Sequence, residues 1–363
     1  MSLIDKYKTT GHVKKVQTLD VSKLYSGKEV ISTQVPMINV ALSGRVDGGL
    51  TSGSTMLAGP SKHFKTGFAL LMIAAFMKAK PNSICVFYDS EFGAPPTYFK
   101  NYGIDTSRVL HIPIVSIEDL KFDMVQKLQA HEGKEEVIFL VDSIGNLASK
   151  KELEDAANDK SVADMTRAKA FKSLFRMITP YLTINDSPAL FVNHTYKTMD
   201  MYPKDIVSGG TAAAYAPDNV WIIGRRQEKI GIDIVGYNFI IKVEKSRFLR
   251  EGSKIPISVT YDNGMSKWSG LIEVGMELGY IYKPKNGWYR AKNPTTGLDL
   301  EDRSYRLKDT NTKAFWEDVF SKTNFAEAIR ERYTLGDKNM LEDDEDENTD
   351  STIDPPTDVQ TED

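Results

Sequence analysis

The stretch GPSKHFKT comprises Gly59, Pro60, Ser61, Lys62, His63, Phe64, Lys65 and Thr66, and differs by one residue from the phosphate-loop pattern G-x-x-x-x-G-K-[ST]. In that pattern backbone amides cradle phosphate oxygens, the lysine pairs the β and γ phosphates, and the hydroxyl binds Mg²⁺. Lys65 and Thr66 supply the last two groups, but Phe64 stands where glycine is usual. If the backbone there needs a positive φ, an L-residue costs about 1–2 kcal/mol, which phosphate contacts can offset. Phe64 is therefore a handicap to nucleotide binding but does not exclude it. The competing reading is a polar turn ahead of a core helix.

Magnesium chemistry makes a second demand, a carboxylate at the end of a buried strand, and Asp142 supplies it at the end of EVIFLVD. Hydrolysis needs a third group, to orient water. Glu91 in FYDSEFG follows another apolar strand and would lie with Lys65 and Asp142 along the carboxyl edge, where open α/β sheets bind ligands. Asp89, nearer that strand, competes for the role, and a loop acid exposed to solvent is the ordinary alternative for Glu91. Loop, strand and acid in this order point to an ATPase.

These groups need a scaffold, and from about residue 54 to 195 short apolar runs alternate with helical patterns, as in a mostly parallel sheet flanked by helices. STMLAG (54–59), SICVFYD (83–89), EVIFLVD (136–142) and PALFVNH (188–194) read as strands. The apolar helix KTGFALLMIAAFMKAK closes at Pro81; Ser116 caps another that runs to about Glu132 with Gly133 as its stop; a third spans about 163–184. Eighteen or so residues after His194 lack usable periodicity, and loops of that length in compact domains are usually functional or disordered. Strands return at 219–226, 237–247 and 254–262, the last followed by the hairpin signal Asn263-Gly264. From Gly270 a smaller helical region with a GWY turn at 287–289 continues to about Tyr333.

The chain has 363 residues, of which 41% are hydrophobic, enough for a substantial core. Its net charge of −4 is unevenly spread: 11 acidic residues and no Lys or Arg lie between Glu342 and Asp363, leaving a net +7 on residues 1–341. A segment so acidic and so poor in apolar residues reads as disordered, either a solubility tail or a mimic of nucleic acid that competes for the basic body. The longest apolar run, Phe68 to Met77, is too short to cross a bilayer, and MSLIDKYK lacks the apolar stretch of a signal peptide. A single cysteine, Cys85, precludes an internal disulfide, and five scattered histidines show no zinc spacing.

GPSKHFKT, FYDSEFG, FLVDSIGNLASKKE, FVNHTY, SGGTAAAY and KVEKSR occur in the order found in RecA-type recombinases, and they resemble most the recombinases of T-even-type phages, in which phenylalanine also precedes the loop lysine. The resemblance covers about residues 30 to 335. It implies a RecA-type P-loop ATPase core with a mostly parallel twisted sheet flanked by helices, a small C-terminal α/β region and an acidic disordered tail. The expected divisions are 1–30 for oligomerisation, 31–269 for the ATPase and DNA-binding core, 270–335 for the small C-terminal domain and 336–363 for the tail.

The resemblance also assigns roles. Glu91 activates water, His194 links the γ-phosphate to the long loop, and Lys245 and Arg247 reach the ATP of a neighbouring subunit; alternate residues share a strand face. For DNA, the stretch after Asn146 mixes acids with bases, whereas the loop after His194 interleaves Tyr196, Lys197, Met199, Met201, Tyr202 and Lys204, as single-strand binding requires. Gly209, Gly210 and Thr211 can bring amides near phosphate, and Arg176 falls where a phosphate-contacting arginine is expected. Cofactors are ATP and Mg²⁺.

The resulting expectation is a DNA-stimulated ATPase that forms a helical filament on single-stranded DNA, pairs it with homologous duplex and exchanges strands in the cytoplasm of a phage-infected bacterium. A single-strand-binding protein and a mediator are the implied partners, with no membrane. The rivals are a hexameric replicative helicase on the same core, a DNA-free regulatory ATPase or kinase, and a nucleic-acid-binding filament with a dead ATPase.

Overall fold

In the computed structural model, residues 2–13, 16–22, 24, 28–131, 135–158 and 166–335 are described. The apolar runs pair into one large sheet. Its strands are β1 (Gly53–Ala58), β2 (Ile84–Asp89), β3 (Val109–Pro113), β4 (Val137–Asp142) and β5 (Pro188–Asn193), then, after a small hairpin of β6 (Thr195–Lys197) and β7 (Asp205–Val207), β8 (Asn219–Ile230), β9 (Asp233–Lys245), β10 (Lys254–Thr260) and β11 (Gly264–Met265). The order is β11-β10-β9-β8-β1-β5-β4-β2-β3, with β8, β1, β5, β4, β2 and β3 parallel and β9, β10 and β11 added antiparallel beside β8.

Period-two alternation decides which side chains meet which helices. Cys85 and Phe87 face a cluster with Phe68, Ile73 and Phe76 of helix Lys65–Ala79, while Val86 and Tyr88 face a second cluster with helices Ile117–Ala130 and Thr166–Ile184. The first cluster also takes in Leu271, Trp316, Phe325 and Ile329 from the C-terminal helices. That region adds its own two-stranded sheet, β12 (Ile281–Lys285) and β13 (Trp288–Ala291), turned at Gly287. Register aligns Ala58 with Asn193 and Asp89 with Asp142, so the loops that leave β1, β2, β4 and β5 share one edge.

Several expectations shift. The helix capped by Ser116, whose hydroxyl accepts from Asp119 N, ends at Ala130; Gly133 lies outside the described residues. The stretch after His194 is not irregular: Thr198 and Lys204 close a hairpin, and Gly210–Tyr215 forms a short helix. Burial of Val207 and Ala213 against the second cluster stabilises it, a contact invisible to local periodicity. Strand β9 ends at Lys245, so Arg247 lies beyond it and no longer shares its alternation. Strand β3 and helix Pro36–Ser43 had no clear signal: β3 is an edge strand with mostly exposed or half-buried side chains. Helix Leu3–Thr9 buries nothing and leaves Leu3, Ile4 and Tyr7 exposed. The acidic segment expected to be disordered lies outside the described residues, and among those described no helix is long and apolar enough to cross a membrane.

Candidate active site

Strand β1 runs straight into the phosphate-loop sequence, and helix Lys65–Ala79 begins at Lys65. Its first-turn amides have no intrahelical partners, which suits an anion. Phe64 occupies the left-handed region at φ 58° and ψ 21°, and Lys62 also has a positive φ of 61°. The Phe64 ring meets Phe68 edge-on at 5.4 Å and stacks on Phe239 at 5.6 Å. Aromatic pairs contribute about 0.5–1.5 kcal/mol beyond area burial, the same size as the left-handed cost. The fold itself thus offsets the strain of the non-glycine residue.

Lys65 is buried, and its Nζ donates to the carbonyls of Gly59 and Pro60, each at 2.9 Å. Burial lowers its pKa, opposed by the charges of Glu91 and Asp142. Thr66 Oγ1 donates to Asp142 Oδ2 at 2.6 Å, while Asp142 Oδ1 is buried without a hydrogen-bond partner. Burial, reinforced by the nearby Glu91 and Asp89 charges, pushes the Asp142 carboxyl up to about 6. A desolvated carboxylate with an orphaned oxygen beside a hydroxyl fits Mg²⁺, which takes oxygen ligands and uses one or two carboxylates plus substrate phosphates. Among the described residues no group of three or more His, Cys, Asp or Glu side chains forms a cage of its own.

Glu91 Oε1 lies 2.8 Å from His194 Nε2, and that hydrogen bond is the main reason its carboxyl sits below the usual range. Ser143 Oγ is 3.4 Å from the same nitrogen. Lys65, Thr66, Glu91, Asp142 and His194 line one pocket of about 260 Å³, together with Ser61, Lys62, His63 and Phe64. Asp89 is committed elsewhere: Oδ1 accepts from the amides of Glu91 and Phe92, and Oδ2 faces His111.

Two groups escaped the sequence reading. Arg225, on β8, donates to Lys62 O at 2.8 Å and lies over the Tyr237 ring at 4.5 Å. Tyr98 lines both the phosphate pocket and an adjoining groove of about 920 Å³. Neither carries a motif, because both reach the loop only through sheet order and the packing of helix Pro96–Asn101.

Lys245 and Arg247 do not join this pocket. They lie at the opposite edge, where Lys245 Nζ donates to Tyr215 O and Pro217 O at 2.5 and 2.6 Å, and Arg247 pairs with Asp218 at 2.5 Å. Asp218 in turn accepts from Ser54 at the start of β1.

The second loop, by contrast, leaves directly from His194. Its hairpin exposes Met199, Met201 and Tyr202 almost fully and Tyr196 by half. Lys197 is paired with Asp205 at 3.2 Å across the hairpin, whereas Lys204 is exposed. Asn193 Nδ2 donates to Ser208 O and Ser208 N to His194 O, binding the loop's return to the pocket wall. Gly209 and Gly210, with φ of 100° and 72°, lead into the helix that contains Thr211. Arg176 is exposed midway along Thr166–Ile184, remote from both ends of that helix. The first stretch forms helix Lys150–Ala157, capped by Ser149, and residues 159–165 lie outside the described part.

Comparison with known proteins finds the family described as RecA N-terminal domain over residues 1–266, and the one described as Bacteriophage T4, Recombination and repair protein, C-terminal domain over residues 268–329. The "Recombination and repair protein" of Enterobacteria phage T4 is 48% identical over 321 residues, spanning 88% of this chain and 82% of that protein. "Protein RecA" of Kineococcus radiotolerans is 29% identical over 289 residues, 77% of this chain and 79% of that one; its namesake from Streptomyces rimosus is 27% identical over 287 residues, 77% and 73% of the two chains. A RecA-like sheet, a phosphate loop at its carboxyl edge and sequence agreement across both regions together establish that the chain belongs to the RecA family of recombination proteins, with a phage-type C-terminal region.

Proposed function

We propose that the protein is an ATP- and Mg²⁺-dependent recombinase that polymerises on single-stranded DNA, pairs it with homologous duplex and exchanges strands. The observation that carries this reading is the convergence of Lys65, Thr66, Asp142, Glu91 and His194 in one pocket, whose wall continues into the Met/Tyr/Lys hairpin.

Within that reading Lys65 exchanges its two carbonyl partners for phosphate oxygens, and the amides of the loop and the helix start hold the rest of the triphosphate. Thr66 and Asp142 would hold Mg²⁺, which would supply positive charge to the triphosphate. Glu91 orients the attacking water and takes its proton. His194, hydrogen-bonded to Glu91, has its own carbonyl tied to the loop's return through Ser208, which supports coupling of the pocket to the DNA-facing hairpin. Tyr98 is placed for the nucleotide base, because it lines the groove beside the phosphate pocket.

Filament formation gives roles to groups that lie outside the phosphate pocket. Leu3, Ile4 and Tyr7 of the N-terminal helix pack on the next copy, and Lys245 and Arg247 act on the next copy's nucleotide. Tyr196, Lys197, Tyr202, Lys204, Gly209, Gly210, Thr211 and Arg176 serve DNA. Family resemblance adds a single-strand-binding protein to displace, a mediator, and the cytoplasm of an infected bacterium as the setting. The helicase alternative is not favoured, since both family matches are to recombination proteins.

The decisive experiment measures ATP turnover with and without single-stranded DNA, with electron microscopy of the same samples and Lys65→Ala as control. DNA-stimulated turnover with helical filaments, lost in a folded Lys65→Ala, is the expected result. Rings would favour the helicase, and DNA-independent turnover without polymers would overturn the reading.

A further inference from the structure

His111 lies on β3, the edge strand of the sheet, outside the pocket that holds the phosphate-loop groups. Its ring packs on Phe87 with centroids 5.3 Å apart, and its Nε2 is 3.1 Å from Asp89 Oδ2. Asp89 ends β2 with its side chain only 5% exposed, and its other oxygen accepts from Phe92 N at 2.7 Å and Glu91 N at 3.1 Å. The same carboxylate therefore joins an edge-strand histidine to the backbone turn that carries Glu91.

That turn has few other supports. Ser90 anchors one side, its amide donating to Asp142 O at 2.9 Å and its hydroxyl to Ser143 O at 2.7 Å. Beyond it Phe92 adopts a left-handed φ of 54°, an unfavourable conformation for a bulky L-residue, and its ring is exposed. Its N–H donates to Asp89 Oδ1, a hydrogen bond that helps to hold this conformation. Glu91 then leaves the turn to place Oε1 2.8 Å from His194.

Register sets Asp89 opposite Asp142, so two buried carboxylates end adjacent strands. A buried carboxylate is stable as an anion only when hydrogen-bonded or paired. Among the described residues His111 is the one cationic or potentially cationic side chain bonded to Asp89. Without it, Oδ2 would be left unpaired next to a like charge, and the Asp89 side chain would be free to rotate. Rotation would weaken the acceptor that fixes the amides of Glu91 and Phe92.

We infer that His111 is a positioning residue for hydrolysis: by holding Asp89, it fixes the 89–92 turn and with it the approach of Glu91 to His194. The inference rests on the ATPase reading above. It predicts a loss in turnover rather than in nucleotide binding, because the side chains of Lys65, Thr66 and Asp142 are held by hydrogen bonds to Gly59, to Pro60 and to one another that do not involve Asp89, Glu91 or Phe92.

The test is steady-state ATP hydrolysis on single-stranded DNA by the full chain, its His111→Leu variant and its His111→Gln variant, with thermal unfolding of each. Leucine should lower kcat by about 10- to 100-fold, the scale of a misplaced catalytic group, with KM for ATP unchanged. Glutamine, whose amide can donate to Asp89, should restore most of the loss. Wild-type kcat in His111→Leu would overturn this inference alone, as would kcat, KM and Tm falling together without rescue by glutamine. No turnover by the wild type would overturn the ATPase reading and this inference with it.

Discussion

The Phe64 ring fills the space that a side chain on Gly67 would need: a Cβ built there would approach three ring carbons to 2.5, 2.7 and 2.8 Å. Gly67 lies in the first turn of helix Lys65–Ala79 with no left-handed φ, so its role is clearance rather than backbone freedom. The two positions form a pair. A phosphate loop without glycine before its lysine accommodates the ring by giving up a side chain one turn later.

Gly67→Ala should therefore destabilise the protein by about 1–3 kcal/mol through overpacking, although Gly to Ala within a helix ordinarily stabilises by about 1 kcal/mol. In a Phe64→Gly background the same change should be neutral or favourable. Denaturant unfolding of the four proteins reads the coupling, and additive effects would refute the steric account.

Asp142→Asn should stabilise the protein free of nucleotide and metal at pH 7.5. Burial raises this carboxyl from 3.8 to about 6, so the folded state holds the proton more tightly than the unfolded chain. Stability then falls as pH rises between those values, and the whole cost remains above them. The asparagine variant should gain up to about 3 kcal/mol at pH 7.5, and the gain should shrink as pH falls below 6. Thermal unfolding across pH checks this, with Mg²⁺-ATP expected to protect the wild type and not the variant.

On single-stranded DNA, Lys204→Ala should reduce the slope of log affinity against log salt by about 0.7 if it contacts one phosphate. Tyr202→Ala should weaken binding by about 1–3 kcal/mol, through lost stacking, at every salt concentration. Lys197→Ala should change the slope less than Lys204→Ala, because Asp205 already compensates its charge. Equal slopes for all three variants in fluorescence titrations would show that the hairpin does not face DNA.

Removing residues 342–363 takes away 11 acidic residues and no basic ones. Binding to single-stranded DNA should then strengthen and persist to higher salt, since a competing anionic segment is gone. Superimposable binding curves across salt would refute competition by the tail.

Local sequence was sufficient for the chemistry close to regular elements. Apolar runs ending in Asp89, Asp142 and His194 announced strands, the last closing one residue earlier at Asn193, and the gap between Thr66 and Phe76 is spanned by a helix because nothing in KTGFALLMIAAFMKAK interrupts it. What a strand's end carries is thus readable in advance, since side-chain type and period are properties of the chain itself. The hairpin after His194 was not legible, nor were the contacts of Arg225, Tyr98 and His111, because each depends on a neighbour distant in sequence.

The sequence by itself determined that a phosphate loop, two strand-end carboxylates and a basic, aromatic loop follow one another in a mostly parallel α/β chain. Tertiary structure alone decided that Glu91 faces His194 while Asp89 turns to its own backbone and His111, and that Lys245 and Arg247 lie at the far edge. The physical reason is sheet order. Placing β1 between β5 and β8, and β2 between β4 and β3, brings together residues 24 to 164 positions apart, and no local propensity encodes which strands become neighbours.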